Sequence, residues 1–534
     1  MKNLIEKYKN IIKENYAAHA MHFYGTEQSE KLPENDGELN AAFAGILNEL
    51  LNGAKDAYAV RRLYELLPLY NDKTESFGNW WYWEIGIPQS LNRIFTLIYD
   101  TAPKKLLDEY MNAQRHFNNE IKLTGANRLW ESEIFAVRGI LCGREDELEK
   151  AKRGIEDLFV WADEGDGFYR DGSFIQHGCV PYNGGYGLSL LAGLSDMLVL
   201  TGGLCGSEII NEWVKKAFLP FMYKGIFMDM VRGREISRYY ASAEMAYTKA
   251  KHFIDRLGIN CSVPDGFYYF PNSDRAVMRA GGFAAGLAMH SGKTSDFESI
   301  NNENMTAWHT SDGMLYLYTD PTRFSKRFFP CADMERLPGT TVIRKEYPKA
   351  NQPSEYGFTA GKNVSCGGIC AMYLAPCGTR LRAKKAWFFL DDIIVCMGTD
   401  ISRGAETVIE NIMLEKESEI EVSENVIYVK RGGHDTGLTI ICENANVIRE
   451  VRKGSWNNIS SVSDGKEYEA EFLTVYKKHD NNGEYRYILF PSQKTDKNTR
   501  IRFIENSSAE QSVEYKGKKY SVLWSDNGVQ ICEA

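Results

Sequence analysis

With 534 residues the chain is too long for one ordinary core, and its 43% hydrophobic and 25% charged content is that of a soluble globular protein, so two or three domains are expected. The net charge of −9 argues against general nucleic-acid binding, which needs a broad basic face, but leaves room for a polyanion in a locally basic cleft. Eleven scattered cysteines, with one isolated Cys366-x-x-x-Cys370 and no second cluster at zinc-like spacing, read as reduced structural thiols rather than a disulfide or metal framework.

The N-terminal stretch 1–20 reads as an amphipathic helix broken by Lys and Glu every few residues. It has no uninterrupted apolar core of signal-peptide type, and no run of about 20 apolar residues follows, so the chain reads as cytoplasmic with no membrane partner. Apolar residues at i, i+3, i+4 spacing predict helices over 37–53, 58–67, 88–99, 104–114, 131–141, 145–161, 187–201 and 209–218. Short Gly, Asn and Asp-bearing connections join them, as in an array of antiparallel helical hairpins. The character changes near 256–269, where the helical period is lost and Pro264-Asp265-Gly266 signals a turn. Short apolar runs follow at 276–291, 312–319, 385–401, 407–414, 425–432, 437–444, 471–479 and 485–492, which read as strands of an antiparallel sandwich. The expected division is a helical domain over 1–262, a large β-domain over 263–465 and a small C-terminal β-domain over 466–534.

Residues 171–187 set His177 and Tyr186 on either side of a turn. On one uninterrupted helix, nine residues apart, they would point to opposite faces; Pro181 and Gly184-Gly185 break that constraint and let them converge. A histidine and a tyrosine tuned by arginine form a proton-transfer pair that needs no metal or nucleotide. Residues 79–88 (NWWYWEIGIP) place three Trp and a Tyr ahead of a helix that can begin at Pro88, and these rings cannot all share one core stripe, so some are expected to line a surface or cleft. The short polar break Thr124-Gly125-Ala126-Asn127-Arg128 reads as a helix cap, and an Asn amide in a cleft can also donate to a carboxylate. Arg232, Arg234 and Arg238 lie in RGREISR, with Arg234 and Arg238 at i, i+4 and apolar or aromatic flanks; guanidinium groups withdrawn from water need anionic partners. Such partners are available in 298–316, which carries Glu298, Asn301, Asn302, Glu303, Trp308 and His309 ahead of a strand.

Taken in order, NWWYWEIGIP, TGANR, DGSFIQHGCVPYNGGYG, RGREISR, ESINNENMTAWHTSDGMLYLY and Leu337-Pro338-Gly339-Thr340-Thr341 resemble the family 8 polysaccharide lyases, which include hyaluronate, chondroitin AC and xanthan lyases. The resemblance spans residues 79–341, with weaker similarity through the β-domain. It implies an α+β multidomain fold, an incomplete (α/α) toroid followed by antiparallel β-sandwich domains. It implies β-elimination at a uronic acid of an acidic polysaccharide or oligosaccharide, leaving a 4,5-unsaturated sugar. In matching positions it implies that Asn127 and His177 face the uronate carboxylate, with Tyr186 beside the glycosidic oxygen and Arg234 and Arg238 next to that tyrosine. Glu303 would pair with the arginines, and Trp80 and Trp81 would form the aromatic patch for the sugar chain; Asn79, Arg232 and Gln176 complete the expected substrate-binding set. Tyrosine is favoured over histidine as the base. No cofactor is required; a structural calcium ion in the β-domain is a further implication of the resemblance, with no compact acidic loop to assign it to. Two other readings are a glycoside hydrolase on the same scaffold, which needs two opposed carboxylates and would draw on Glu84, Asp171 or Glu303, and a non-catalytic carbohydrate-binding homologue.

Overall fold

A computed structural model describes residues 1–18, 31–53, 56–325, 327–480, 483–498, 500–525 and 528–534. The chain forms two compact units whose sequences interleave: a helical unit of 1–161, 186–212 and 248–260, and a β-rich unit of 162–185, 213–247 and 261–534.

In the helical unit, the expected helices form at Asp36–Leu51, Asp56–Asn71, Ile87–Leu97, Lys104–Phe117, Gly125–Cys142, Glu145–Glu156 and Leu188–Thr201, joined by Lys2–Ala17. The last two residues of the stretch read as the N-terminal helix lie outside the described residues. Lys2–Ala17 buries Ile5, Tyr8, Ile11, Ile12 and Asn15, one stripe at helical spacing. Gly143 and Gly202, both in the left-handed region (φ 70° and 78°), stop the helices before them. The helix Gly125–Cys142 packs against Ile87–Leu97, Glu145–Glu156 and Leu188–Thr201. Gly139 makes the second contact close, since a Cβ there would come within 2.8 Å of the Arg144 carbonyl oxygen. Two buried ion pairs cross-link the array. Glu133 accepts from Tyr8 Oη (2.7 Å), Gln89 Nε2 (2.8 Å) and Arg93 (3.0 Å), while Arg138 donates to Glu147 (2.5 Å) and to the Asn118 carbonyl (2.9 Å). This packing of helical hairpins is the incomplete (α/α) toroid. The segment Asn183–Thr201 is long and apolar enough by length and composition to cross a membrane; it ends in a core helix with Leu188, Leu190, Leu191, Leu194, Met197 and Leu200 buried.

A further helix, Ala243–Arg256, buries Ala246, Ala250, Phe253 and Ile254; alanines at its core-facing positions weaken the hydrophobic signal, so local periodicity does not predict it. The expected helix over 209–218 is α-helical only to Trp213 and continues as a π-turn, Val214–Phe218.

The β-rich unit is built around an eight-stranded antiparallel sheet in the order Phe358–Val364, Gly367–Leu374, Ala383–Leu390, Ile393–Ile401, Gly483–Pro491, Gly437–Ile441, Val426–Lys430, Glu419–Val422. Its central strands are covered on both faces, which is why they read as near-continuous apolar runs rather than alternating ones. On one face Met372, Trp387, Phe389, Ile394, Cys396 and Leu489 pack with Met278, Leu287, Leu317, Ile409 and Val475. On the other Ile369, Ala386, Phe388, Val395 and Phe490 pack with Val513, Tyr520, Val522 and Trp524. The first face meets the meander Gly266–Phe270, Arg275–Ala280, Phe283–Ala288, Met314–Tyr318 and a four-stranded sheet that contains Glu406–Met413 and Glu467–Lys478. The second meets the sheet Ile501–Asn506, Glu510–Tyr515, Lys518–Ser525, Gly528–Glu533. Strand pairing runs on across residue 466: Glu467–Lys478 pairs with Glu406–Met413, and Gly483–Pro491 pairs with Ile393–Ile401. The separate sheet at the C-terminal end therefore begins at Ile501, because pairing partners far back in the chain, invisible to local composition, hold the strands before it. All eleven cysteines are free thiols, Cys366 and Cys370 among them.

Candidate active site

In the helical unit the site residues lie at three helix starts. The Trp-rich segment is helical itself, a π-turn Tyr82–Gly86 running straight into Ile87–Leu97, not a loop ahead of a helix at Pro88. Asn79 fastens it: its Oδ1 accepts from the Trp81 amide (3.1 Å) and its own backbone amide donates to Asp36 (2.7 Å), so it caps the turn. The rings then divide as the crowding argument requires. Trp83 is buried, donates Nε1 to the Phe77 carbonyl (2.8 Å) and stacks on Tyr70 and Phe117; Trp80 is 42% exposed. Trp81 meets Trp130 edge-on at 5.8 Å, and Trp130 meets Tyr186 at 6.0 Å, so one run of aromatic rings leads from the Trp-rich turn to the phenol. Gly86 lies under this run: a Cβ there would sit 2.6 Å from both the Trp81 ring and Asn40 Oδ1.

Asn127 is in the first turn of Gly125–Cys142, whose N-cap Thr124 makes no side-chain capping bond and whose first turn holds no acidic residue. The positive end of the helix dipole is thus uncompensated by the local sequence, a setting that favours an anion. Asn127 Oδ1 is buried without a hydrogen-bond partner among the described residues.

Tyr186 is half-buried in the π-turn Asn183–Gly187 that leads into Leu188–Thr201. Gly184 and Gly185 do not break this helical run; they are there for close approach. A Cβ on Gly184 would lie 2.8 Å from Arg232 and Phe227, and one on Gly185 2.5 Å from the Tyr182 ring. Asn183, fully buried, pins the start of the turn through the Gly172 (2.9 Å) and Ala217 (2.8 Å) carbonyls.

In the β-rich unit His177 follows the strand Phe174–Gln176 with φ 54°, and Gly178 continues in the left-handed region at φ 76°. This uncommon backbone turns the imidazole out, leaving it about a third exposed (31%). Asp166 clamps both sides of it, accepting from Gln176 Nε2 (2.7 Å) and the Gly178 amide (2.8 Å). Gln176 is 2% exposed and supports His177 from below. Nδ1 of His177 is hydrogen-bonded to Glu298 Oε1, and Oε2 of the same carboxylate accepts from Arg234 (3.0 Å). Glu298 is 1% exposed; burial alone would push it up, but His177 and Arg234 outweigh that and hold it below the ordinary carboxylate value.

Arg234 and Arg238 do not share an α-helix face. Gly233–Ser237 is a 3₁₀ turn and Arg238 is already extended. Gly233 (φ 53°) packs so tightly on Tyr182 that a Cβ would come within 2.2 Å of its ring, and the Tyr182 hydroxyl accepts from the Arg234 amide (3.0 Å). Arg238 holds Glu303 in a fork, 2.6 Å and 3.2 Å. The expected pairing of Glu303 with the arginines is thus present, and Glu298 is the partner the sequence reading did not assign. It stands in the same motif, five residues earlier; loop geometry alone decides which carboxylate meets which guanidinium. Arg232 is 2% exposed and spends its donors on Asp229 (2.5 Å) and the Ala241 carbonyl, a structural arginine rather than a ligand contact. Asp171 accepts from Ser173 and Asn272 and braces the loop before His177.

A calcium ion wants several hard oxygen ligands. Among the described residues, the one grouping of three or more His, Cys, Asp or Glu side chains close enough to hold an ion is His290, Asp296 and Asp312, whose imidazole suits calcium poorly.

Residues 64–265 match the model of the polysaccharide lyase family 8 N-terminal α-helical domain, and residues 265–501 match that of the family's super-sandwich domain. A xanthan lyase of Bacillus sp. (strain GL1) is 30% identical over 86% of this chain and 60% of its own length. A hyaluronate lyase of Thermasporomyces composti is 29% identical over 86% of this chain and 72% of its own. The solved Paenibacillus xanthan lyase gives a TM-score of 0.85 at 27% identity, covering 99% of this chain and 62% of that one. The Streptomyces coelicolor A3 chondroitin AC lyase, at TM-score 0.82 and 24% identity over 98% of this chain and 85% of that one, shares the fold. The chain spans about 60% of the length of the curated xanthan lyase it matches.

Proposed function

The chain belongs to polysaccharide lyase family 8, and on that premise we propose that it cleaves uronate-containing glycans by β-elimination. The observation that carries the reading is the state of the carboxylates in the β-rich unit. Glu298 is committed to His177 and Arg234, and Glu303 to Arg238, so neither stands ready as the acid or base that glycoside hydrolysis draws from an opposed pair. Asp171 is likewise saturated by Ser173 and Asn272. Elimination needs other groups: a base for the C5 proton, donors that take up the charge spreading onto the uronate carboxylate, and an acid for the leaving oxygen.

Asn127 and His177 supply the donors, the first from a helix start that favours anions and the second from an imidazole oriented by Glu298. Tyr186 takes the C5 proton as phenolate. The C5–H electrons form the C4=C5 bond, the C4–O bond breaks, and the phenol returns its proton to the departing oxygen. One residue serves both steps when both occur on one side of the ring. A phenol ionises near pH 10 by itself, and a nearby guanidinium favours the phenolate; the resemblance to the family gives that part to Arg234 and Arg238. Their two positive charges come with two carboxylates, Glu298 and Glu303. Trp80, 42% exposed, and the partly exposed Trp81 are the rings the reading gives to the sugar chain.

The test is a panel of hyaluronan, chondroitin and xanthan-derived fragments, followed by ultraviolet absorbance of the conjugated C4=C5 product and its mass. An unsaturated uronate product is expected. New reducing ends without that absorbance would establish hydrolysis instead, and calorimetric binding without turnover would establish a carbohydrate-binding protein.

A further inference from the structure

Two of the buried histidines serve no part of the chemistry above. His290 and His309 are 0% and 1% exposed and converge with Asp296 and Asp312 in the β-rich unit. His290 Nε2 lies 2.5 Å from Asp296 Oδ1 and 3.0 Å from Asp312 Oδ1. One N–H cannot point at two carboxylates, and only Asp312 is in line to accept it. Asp296, itself 1% exposed, has no hydrogen-bond partner at either carboxylate oxygen among the described residues. It lines a cavity of about 30 Å³ together with Glu298, Arg275, Ser295, Ser311 and Tyr316. Arg275 does not neutralise it, since its donors go to the carbonyls of Met230 and Met289 and to Ser311. Lys385 spends its ammonium on the carbonyls of Asp312 and Gly339.

Two imidazoles, of His290 and His309, stand against the two buried carboxylates, yet neither oxygen of Asp296 receives a hydrogen bond, and a buried carboxylate without a donor is costly. A divalent ion gives Asp296 the partner it lacks. The donor set is one imidazole nitrogen and two carboxylate oxygens, all within 4.8 Å of one another, and the cavity beside Asp296 accommodates a water-sized fourth ligand. His309 Nδ1 donates to Asp312 Oδ2 (2.8 Å) and so turns Oδ1 toward the centre, the outer-shell contact that orients metal-binding carboxylates.

We propose that His290, Asp296 and Asp312 bind a divalent transition ion, zinc by preference. Imidazole selects zinc over calcium and magnesium, which separates this centre from a hard-cation site. The ion fastens both ends of the 290–312 loop, the loop that carries Glu298 and Glu303. The centre is structural, and its existence does not depend on the lyase reading.

The test uses the full chain purified without metal-affinity steps and stripped with a chelator. Zinc is titrated against a chromophoric competitor, and cobalt is titrated with visible spectroscopy. Expected are one equivalent of zinc, a rise in melting temperature on binding, the visible bands of four-coordinate cobalt, and a loss of zinc affinity of at least ~10-fold in both Asp296→Asn and His290→Gln. Wild-type protein that takes up no stoichiometric zinc and gives no cobalt bands overturns the proposal, as does an Asp296→Asn variant that binds zinc as tightly as wild type. Should the variants fail to fold, the wild-type cobalt spectrum decides alone.

Discussion

One oxygen atom separates tyrosine from phenylalanine, and Tyr186→Phe isolates its work. The ring contact with Trp130 at 6.0 Å survives the change, so packing of the π-turn is kept. Turnover is expected to fall by about 10²-fold or more, the scale of a lost general acid–base group, with the melting temperature unchanged. Initial rates of unsaturated-product formation beside a thermal melt check this; a variant keeping wild-type rates would remove the phenol from the mechanism. Candidates of this kind stand out in the sequence because their motifs carry their own spacing. His177, Tyr186, Arg234 and Arg238 all stand in short, chemically unusual strings. Glu298 was not legible as the partner of His177 and Arg234, since a loop containing left-handed Asn301 and Asn302 sets the choice between it and Glu303. Burial and partners are not legible from a motif either: Arg232 and Gln176 are 2% exposed, and Asn79 caps the Trp-rich turn through Trp81 and Asp36.

At the scale of elements, the Trp-rich π-turn depends on a glycine for reasons of volume and not of backbone angle. Gly86 has helical φ and ψ, so by propensity alone alanine would stabilise it by up to about 1 kcal/mol. Its Cβ, however, would press on Trp81 and Asn40 at 2.6 Å, and overpacking of that kind costs about 1–3 kcal/mol. Gly86→Ala is therefore expected to destabilise and to shift Trp81, whereas Gly45→Ala, in a helix with nothing within 4 Å of the new methyl, should stabilise. Denaturant midpoints for the pair, with tryptophan fluorescence as the second readout, decide between volume and propensity; equal midpoints would defeat the packing argument. Regular helices and central strands were legible here because a 3.6-residue stripe and a doubly buried apolar run are local signals. The π- and 3₁₀-turns that hold Trp81, Tyr186 and Arg234 were not, because they deviate from that period by one residue within a single turn. Nor was the membership of 162–185 and 213–247 in the β-rich unit, which rests on contacts with residues far along the chain.

At the scale of the whole molecule, two buried groups lose stability to acid in different pH windows. His479 is 5% exposed, with its Nε2 against Thr407 Oγ1 at 2.8 Å. Burial first, then repulsion from Lys477 and Lys385, pushes it down to about 4. An unfolded histidine ionises near pH 6.5, so the unfolded chain takes up the proton first, and stability is lost as the pH falls from about 6.5 to about 4. The difference corresponds to about 3 kcal/mol at most. Glu298 acts lower. Its folded value lies below the ordinary carboxylate value near 4.3, so its contribution is complete above that pH and is lost as the pH falls through the folded value. Unfolding midpoints by circular dichroism, taken from about pH 8 down to about pH 3.5, should therefore decline in two stages. His479→Gln should flatten the upper stage and leave the lower one in place. Glu298→Gln should do the reverse, starting from a lower stability at neutral pH because Arg234 and His177 lose their shared anion; breaking a buried pair in this way costs about 3–5 kcal/mol. An unchanged upper stage in His479→Gln would show that other groups govern the acid lability, with the neutral imidazole beneath Thr407 a bystander.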